Sequence, residues 1–351
     1  MKRIIAFVLT VMMTVGLLAG CGDGGKEQRV VNVCSWGEYI DESLIGEFEA
    51  QTGIHVNYQT AESNETLYSL LQTGGADFDV IVPSDYMIGR LIDEGMLAEL
   101  DYSAIPNYDL IDPQYKSLSF DPENKYTVPY SWGTVGIIYN TKMVDEPITS
   151  WGAMFDEKYA GQVLMINNSR DALMAANTTD EAQLDEAFQL VKNAKDKGVY
   201  QAFVMDEIFG KMEGGNAAIA MYYAGDYLTM LENNEDLAFV VPEEGSNWFV
   251  DAMCVLKSSQ HKDEAMEWIN FIAGTDASLA NMDYIWYASP NAEALAEYPA
   301  YYEEQNGEAL DQELYNIMAA PADVLDRCEL YVNLPQETLK YYDKLWTQLG
   351  V

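Results

Sequence analysis

Val30-Val31-Asn32-Val33-Cys34 is a short apolar run that stops at Trp36-Gly37-Glu38-Tyr39, two aromatic rings around a carboxylate. A run of this length, rich in β-branched residues, reads as a buried strand with the tetrapeptide at its C-terminal end. Outward from it, Leu44, Ile45 and Phe48 share one face of a short helix that ends before Gly53, and Ile54 to Tyr58 reads as a second strand. Glu65 to Leu71 is then a helix with Leu67, Leu70 and Leu71 facing inward, and Phe78-Asp79-Val80-Ile81-Val82-Pro83 a third, fully buried strand. Strand, helix, strand, helix, strand demands right-handed crossovers and a largely parallel sheet, which is the α/β class. Ligands of open α/β sheets sit beyond the carboxyl ends of strands, where Trp36, Glu38 and Tyr39 stand. Aromatic faces beside a carboxylate suit an organic cation, since the rings attract positive nitrogen and cover methylenes. The same tetrapeptide also reads as an amphipathic loop that merely ends a strand.

A second alternating unit follows. Val135 to Tyr139 and Val163 to Ile166 read as strands, and Asp180 to Lys195 as a helix with Leu184, Phe188 and Val191 on one face. Ala217 to Tyr223, Leu237 to Val241 and Asn247 to Leu256 are further strands, and the helix Asp263 to Ile272 resembles a packing element of the first unit. The roughly 320 residues beyond the leader exceed what one hydrophobic core serves, so two lobes are expected.

That leader is Lys2 and Arg3, the apolar run Ile4 to Leu18, and Leu18-Ala19-Gly20-Cys21. Charge, apolar run and small residues in this order make a secretory signal over 1–20. The box looks like the bacterial lipoprotein signal, in which Cys21 becomes the lipidated first residue, and 21–28 reads as a flexible tether. Two or more acyl chains make a stable anchor, so an extracytoplasmic protein, lipid-anchored to the bacterial cell membrane at Cys21, is expected.

The chain carries 57 acidic and 19 basic residues, for a formal charge of −38, or −40 once Lys2 and Arg3 are lost. Such a field repels nucleic acid and anionic substrates and draws cations; it also keeps an exported protein soluble. Cys34, Cys254 and Cys328 allow either one disulfide with a spare thiol or three reduced thiols. Cys34 and Cys254 sit in apolar runs and read as small buried hydrophobes, with no functional thiol expected. The two histidines, His55 and His261, stand in no nucleophile or zinc motif, and there is no phosphate loop or EF-hand spacing. No cofactor or metal is expected, and an enzyme only as a carboxylate-pair hydrolase, for example with Glu38 and Asp251.

The features that remain are aromatic clusters at strand ends. Ser84-Asp85-Tyr86 follows the third strand, and Tyr130-Ser131-Trp132-Gly133 precedes Val135. Asn167-Asn168-Ser169-Arg170-Asp171 follows Ile166, and Tyr222-Tyr223 ends its strand. Trp248-Phe249-Val250-Asp251 opens the returning strand, and Tyr284-Ile285-Trp286-Tyr287 precedes Ser289-Pro290-Asn291. Any one could be core or surface; clusters at equivalent topological places point to one cleft.

Together with Glu62-Ser63-Asn64-Glu65-Thr66, Val128-Pro129 and Ser150-Trp151, these clusters make the chain resemble the spermidine/putrescine-binding proteins of polyamine ABC transporters, from about Val31 to Trp346. The resemblance implies a two-lobed periplasmic-binding-protein-like (type II) fold, each lobe a mixed, mostly parallel sheet flanked by helices. Lobe 1 would span 29–134 plus 251–294 and lobe 2 135–250 plus 295–351, with crossings near Gly133 to Gly136 and near Asp251. It implies ligand contacts from Trp36, Glu38, Tyr39, Ser84, Tyr86, Asn168, Asp171, Tyr223, Trp248, Phe249, Asp251 and Tyr287, with Asp251 holding an amine. Partners would be a polyamine and the permease subunits, and the protein a monomer. Asn168 stands where the family has Asp, giving up one charged contact and weakening spermidine relative to putrescine; a C-terminal Gln expected near Tyr331 has no clear counterpart. An amino acid, sugar or metal chelate is the alternative ligand, and a ligand carboxylate would want Arg170, which otherwise braces Asp171.

Overall fold

The computed structural model describes residues 28–74, 77–175 and 177–351. The leader, Cys21 and nearly all of the tether lie outside the described residues.

Strands β1 (Val30–Trp36), β2 (His55–Ala61) and β3 (Val80–Ile81) form a parallel set with β1 in the middle. The helices Ser43–Thr52 and Asn64–Gln72 make the crossovers. The first ends at Gly53, whose left-handed φ of 69° suits a residue without Cβ; the second starts at Ser63, whose side chain accepts from the Thr66 N–H. These elements stand where the sequence places them. The third strand is shorter than Phe78 to Pro83, because only Val80 and Ile81 find ladder partners.

Strand β4 (Thr127–Asn140) is far longer than the expected Val135 to Tyr139, and it takes in Tyr130 to Gly133. Thirteen of its fourteen residues are apolar, aromatic, glycine or buried hydroxyl, so alternation does not mark where it begins. It runs antiparallel to β9 (Ser246–Val255) through residue 134, then pairs from 135 with β7 (Ile219–Tyr223) and, from 137, with β8 (Leu237–Val240). A register shift between Pro129 and Ser131 accommodates Tyr130. A second parallel set has β5 (Val163–Ile166) between β7 and β6 (Tyr200–Val204). The full order is β2-β1-β3-β9-β4-β7-β5-β6, with β8 on β4 and β10 (Cys328–Glu329) on β9.

Both parallel sets are sheathed by helices. Trp268 of the helix Lys262–Ile272 meets Phe48 of the first helix edge-on at 5.1 Å. Leu184, Phe188 and Val191 pack with Tyr342, Leu345 and Leu349 of the C-terminal helix Gln336–Leu349. Cys34, Cys254 and Cys328 are free thiols; the first two are buried and pushed up in pKa by burial, Cys34 to about 11. Among the described residues no helix is long and apolar enough to cross a membrane.

Gly136 sits where β4 changes partners, and a methyl group there would lie 2.4 Å from the Phe239 ring and 2.5 Å from the Val240 carbonyl oxygen. Gly136→Ala is therefore expected to lower unfolding stability by about 1–3 kcal/mol, the usual range for overpacking. Urea denaturation checks this, and an unchanged midpoint would show that the partner switch is looser than the contacts state.

Candidate binding cleft

In the first parallel set β1 is the strand from which the chain crosses to both sides, and in the second β5 has the same place. The carboxyl ends of β1 and β3 face those of β5 and β7, so two topological switch points share one cleft. Its volume is about 790 Å³, including the part open to solvent.

The walls follow from the strand ends. Trp36 and Tyr39 come from the end of β1, and Ser84 and Tyr86 from the turn into the helix Asp85–Asp93. Asn64 ties this turn down: its Oδ1 accepts from the Ser84 N–H at 3.1 Å and its Nδ2 donates to Ser84 Oγ at 3.0 Å. From the other side, Asn168 precedes the short helix Ser169–Ala172, Asp171 lies within it, and Tyr223 ends β7. Asn168 Oδ1 accepts from Arg170 N at 2.9 Å and Asp171 N at 3.4 Å, so it serves as the cap of that helix. Along β9 the period of two puts Asn247, Phe249 and Asp251 on the cleft side.

A belt of rings runs across the floor. Tyr39 meets Tyr287 edge-on at 5.0 Å, Tyr287 is 6.1 Å from Phe249, and Phe249 meets Tyr223 edge-on at 5.3 Å. Tyr287 is held in place when Trp132 N donates to the Ala288 carbonyl at 3.0 Å. Room for its ring comes from Gly225, where a methyl group would stand 2.4 Å away.

Ten of the twelve residues expected from the sequence line this cleft; Glu38 and Trp248 do not. Glu38 has a left-handed φ of 48° and its side chain is exposed, because the chain turns out of β1 there. It still acts at a distance, since its charge raises the pKa values of Asp206 and Asp226. Trp248 lies between Asn247 and Phe249 on a strand, so its side chain belongs to the opposite face. Conversely, Asn64, Asp85, Asp206, Phe209, Tyr222 and Asp226 line the cleft and were not singled out as ligand contacts. Asp226 stands in the first turn of the helix Ala224–Leu231, three residues past Tyr223, so the strand-end rule extended by one turn would have found it. Asp206 follows β6, whose Tyr-Gln-Ala-Phe-Val is only partly buried and gives no clean strand signal.

The electrostatics are those of buried carboxylates without enough counter-charge. Asp251 is 3% exposed; its Oδ2 accepts from Trp36 Nε1 at 3.2 Å and its Oδ1 has no donor in bonding geometry. Burial pushes its pKa up to about 6, against the opposing dipoles of Ser84, Tyr39 and Trp36. Burial likewise takes Asp171 to about 6, against Asn247, Arg170 and Tyr223. Asp226 goes to about 7, mainly through burial, although Tyr287 Oη donates to it at 2.9 Å. Asp206 and Asp85 are raised by burial too. Arg170 is 2% exposed and lies over the rings of Tyr86, Tyr331 and Tyr342 at 4.9, 5.0 and 5.5 Å. An aromatic cage holds that cation, and it lowers the pKa of Asp171 as a brace would. The arrangement can accept ammonium groups at Asp171, Asp226 and Asp251 and cover the carbon chain between them with rings.

The model of the bacterial extracellular solute-binding proteins matches residues 43–306. The chain belongs to that family. A spermidine/putrescine-binding periplasmic protein of Escherichia coli (strain K12) is 31% identical over 293 residues, which cover 80% of this chain and 82% of that one. A structure assigned to a spermidine/putrescine ABC transporter of Listeria monocytogenes is 36% identical with a TM-score of 0.84, covering 92% of this chain and 99% of the other. The substrate-binding protein of a spermidine/putrescine ABC transporter from Streptococcus pneumoniae, solved with calcium and HEPES, is 32% identical with a TM-score of 0.74, covering 92% and 98%. The two-lobed solute-binding fold implied by the sequence is therefore the fold of this chain.

The raised carboxyl pKa values carry a sign for stability. Between pH 4 and about 6 to 7 the unfolded chain has released these protons while the folded protein still holds them at Asp171, Asp226 and Asp251. Stability from these groups is full below the ordinary carboxyl pKa and is lost as pH rises to about 7, by on the order of a few kcal/mol per group. The denaturant midpoint of the ligand-free solute-binding protein is expected to be higher at pH 5 than at pH 8; the reverse order would refute these shifts.

Proposed function

We propose that this solute-binding protein captures putrescine and/or spermidine outside the cytoplasm and delivers it to the permease of an ABC transporter. The observation that carries the reading is Asp251, buried at the centre of the cleft, one oxygen on Trp36 and the other without a donor, facing a belt of rings. An ammonium would complete its hydrogen bonding and restore its ionised form. The similarity to spermidine/putrescine-binding proteins of known name supports the same ligand class.

The energetics are consistent. Stripping water from each ammonium costs several kcal/mol, which fixed carboxylates and charge-assisted hydrogen bonds offset. Each methylene buried against Tyr39, Tyr223, Phe249 and Tyr287 adds about 0.8 kcal/mol. Trp36, Ser84, Tyr86, Asn168 and Asp171 complete the contacts, with Asp226 as a further acid. Lobe 1 is 29–134 plus 251–294 and lobe 2 is 135–250 plus 295–351, a division supported by the change in β4 partners between residues 134 and 135. Closure of the lobes on the ligand, a monomeric state and a lipid anchor at Cys21 complete the reading. It is a binding protein that turns over no substrate.

Calorimetry on the mature protein with putrescine, spermidine, spermine and cadaverine tests the ligand, and no binding to any of them at millimolar concentration would end the proposal. Asp251→Asn is expected to weaken binding by about a hundredfold and Ser84→Ala by less than about tenfold, since an unpaired buried ammonium costs more than a lost neutral bond. Equal losses would contradict the role of Asp251.

Binding must also release protons. Ammonium groups favour ionised Asp171, Asp226 and Asp251, so ligand lowers pKa values that stand at about 6 to 7 in the free protein. Affinity is therefore expected to fall as pH drops from 8 to 5.5, and titrations near pH 6 in buffers of different ionisation enthalpy should show net proton release. Proton uptake, or none, would mean that these carboxylates do not meet the ligand.

A further inference from the structure

Behind the cleft lies a second cavity of about 620 Å³ including its open part, lined among others by Val135, Trp151, Met174, Glu244, Glu329 and Tyr331. Two residues, Asp171 and Asn247, line both spaces and form the partition between them. The partition is loosely made. Asn247 Nδ2 donates to Asp171 Oδ1 and Tyr223 Oη to Oδ2, both at 3.4 Å, the long end of hydrogen bonding. Asn247 is 8% exposed, yet its Oδ1 has no hydrogen-bond partner.

The second space repeats the chemistry of the first. Glu244 and Glu329 stand at its solvent side and Asp171 at its inner end, with the rings of Trp151 and Tyr331 along the walls. Glu244 accepts from Ser150 Oγ, and Glu329 accepts a long 3.5 Å bond from Asn177. Arg327 also lines the space, but its guanidinium donates to the carbonyl oxygens of Asp323, Val241 and Pro242 at 3.1, 3.2 and 3.3 Å. Its charge is committed to backbone, and three carboxylates face one cation. Met174 and Met221 supply adaptable apolar wall.

We propose that this chamber is an extension of the cleft that receives an additional aminoalkyl arm of a linear polyamine too long for the cleft itself. The arm passes the Asp171–Asn247 partition, its ammonium meets Glu244 and Glu329, and its secondary amine donates to Asn247 Oδ1. This rests on the polyamine reading of the cleft and adds that the length limit lies beyond Asp171.

The test uses the mature protein with Glu244→Gln and Glu329→Gln, singly and combined, titrated with putrescine and spermine. Putrescine affinity should stay within about twofold, which also shows that the variants fold. Spermine affinity should fall roughly three- to tenfold in the double variant, as expected for partly exposed charge pairs. In 5-fluorotryptophan-labelled protein the resonance of Trp151, assigned by Trp151→Phe, should move with spermine and stay in place with putrescine. A silent Trp151, or the same affinity change for both ligands, overturns the chamber while leaving the polyamine reading intact. A wild-type protein that binds neither ligand overturns both.

Discussion

The structure depends on the cost of burying carboxylates. Asp85, Asp171 and Asp251 are buried and Asp226 half-buried, and among the described residues the buried cation beside them, Arg170, lies over three tyrosine rings. A charge moved from water into such surroundings either finds a partner or picks up a proton. The protein keeps the acids and lets them protonate, and the cleft stands poised between a neutral form and one neutralised by a bound cation.

The backbone makes that poise possible. Strands β4 and β9 lie side by side and continue from one parallel set into the other, so the ends of β1 and β3 are carried to face the ends of β5 and β7. Asp251 lies on this pair opposite Ser131, and a backbone bridge joins it to Ser84. Its position is thus fixed by rigid strands and not by a loop, which is what an acid with an unsatisfied oxygen needs if it is to hold geometry without its ligand.

The first parallel set was legible in the sequence because each element from Val30 to Pro83 carries its own period and its own stop. The strand-end rule likewise pointed to Tyr39, Ser84, Asp171 and Tyr223, which line one cleft, whereas Asp251, in the middle of β9, was singled out by the family resemblance. It failed where the signal is not local. Glu38 follows the strand but turns outward through a left-handed backbone, and Trp248 differs from Phe249 only in strand parity. Asp206 and Asp226 sit on turns after β6 and β7, and their acidity is indistinguishable in sequence from that of dozens of surface carboxylates. Only their place on the cleft wall separates them. The length of β4 was hidden for the opposite reason: buried on both faces, it shows no alternation to mark its start.

Selectivity then turns on length more than on charge count. Where every acid is permanently ionised, a diamine would leave surplus negative charge in the cleft and be penalised for it. Here Asp226, at about 7, shares a proton near neutral pH, and Asp171 and Asp251, at about 6, take one up as the pH falls below neutral when no ammonium lies against them. The charge of the cleft can therefore respond to its contents, most readily at Asp226, while Asn168, whose Oδ1 caps a helix, adds no charge of its own. What cannot adjust is the spacing from Asp251 to the acids on either side, set by strands and ring packing. A chain whose ammonium groups fall out of step with that spacing must bury an unpaired charge, and no proton transfer inside the cleft offsets that cost.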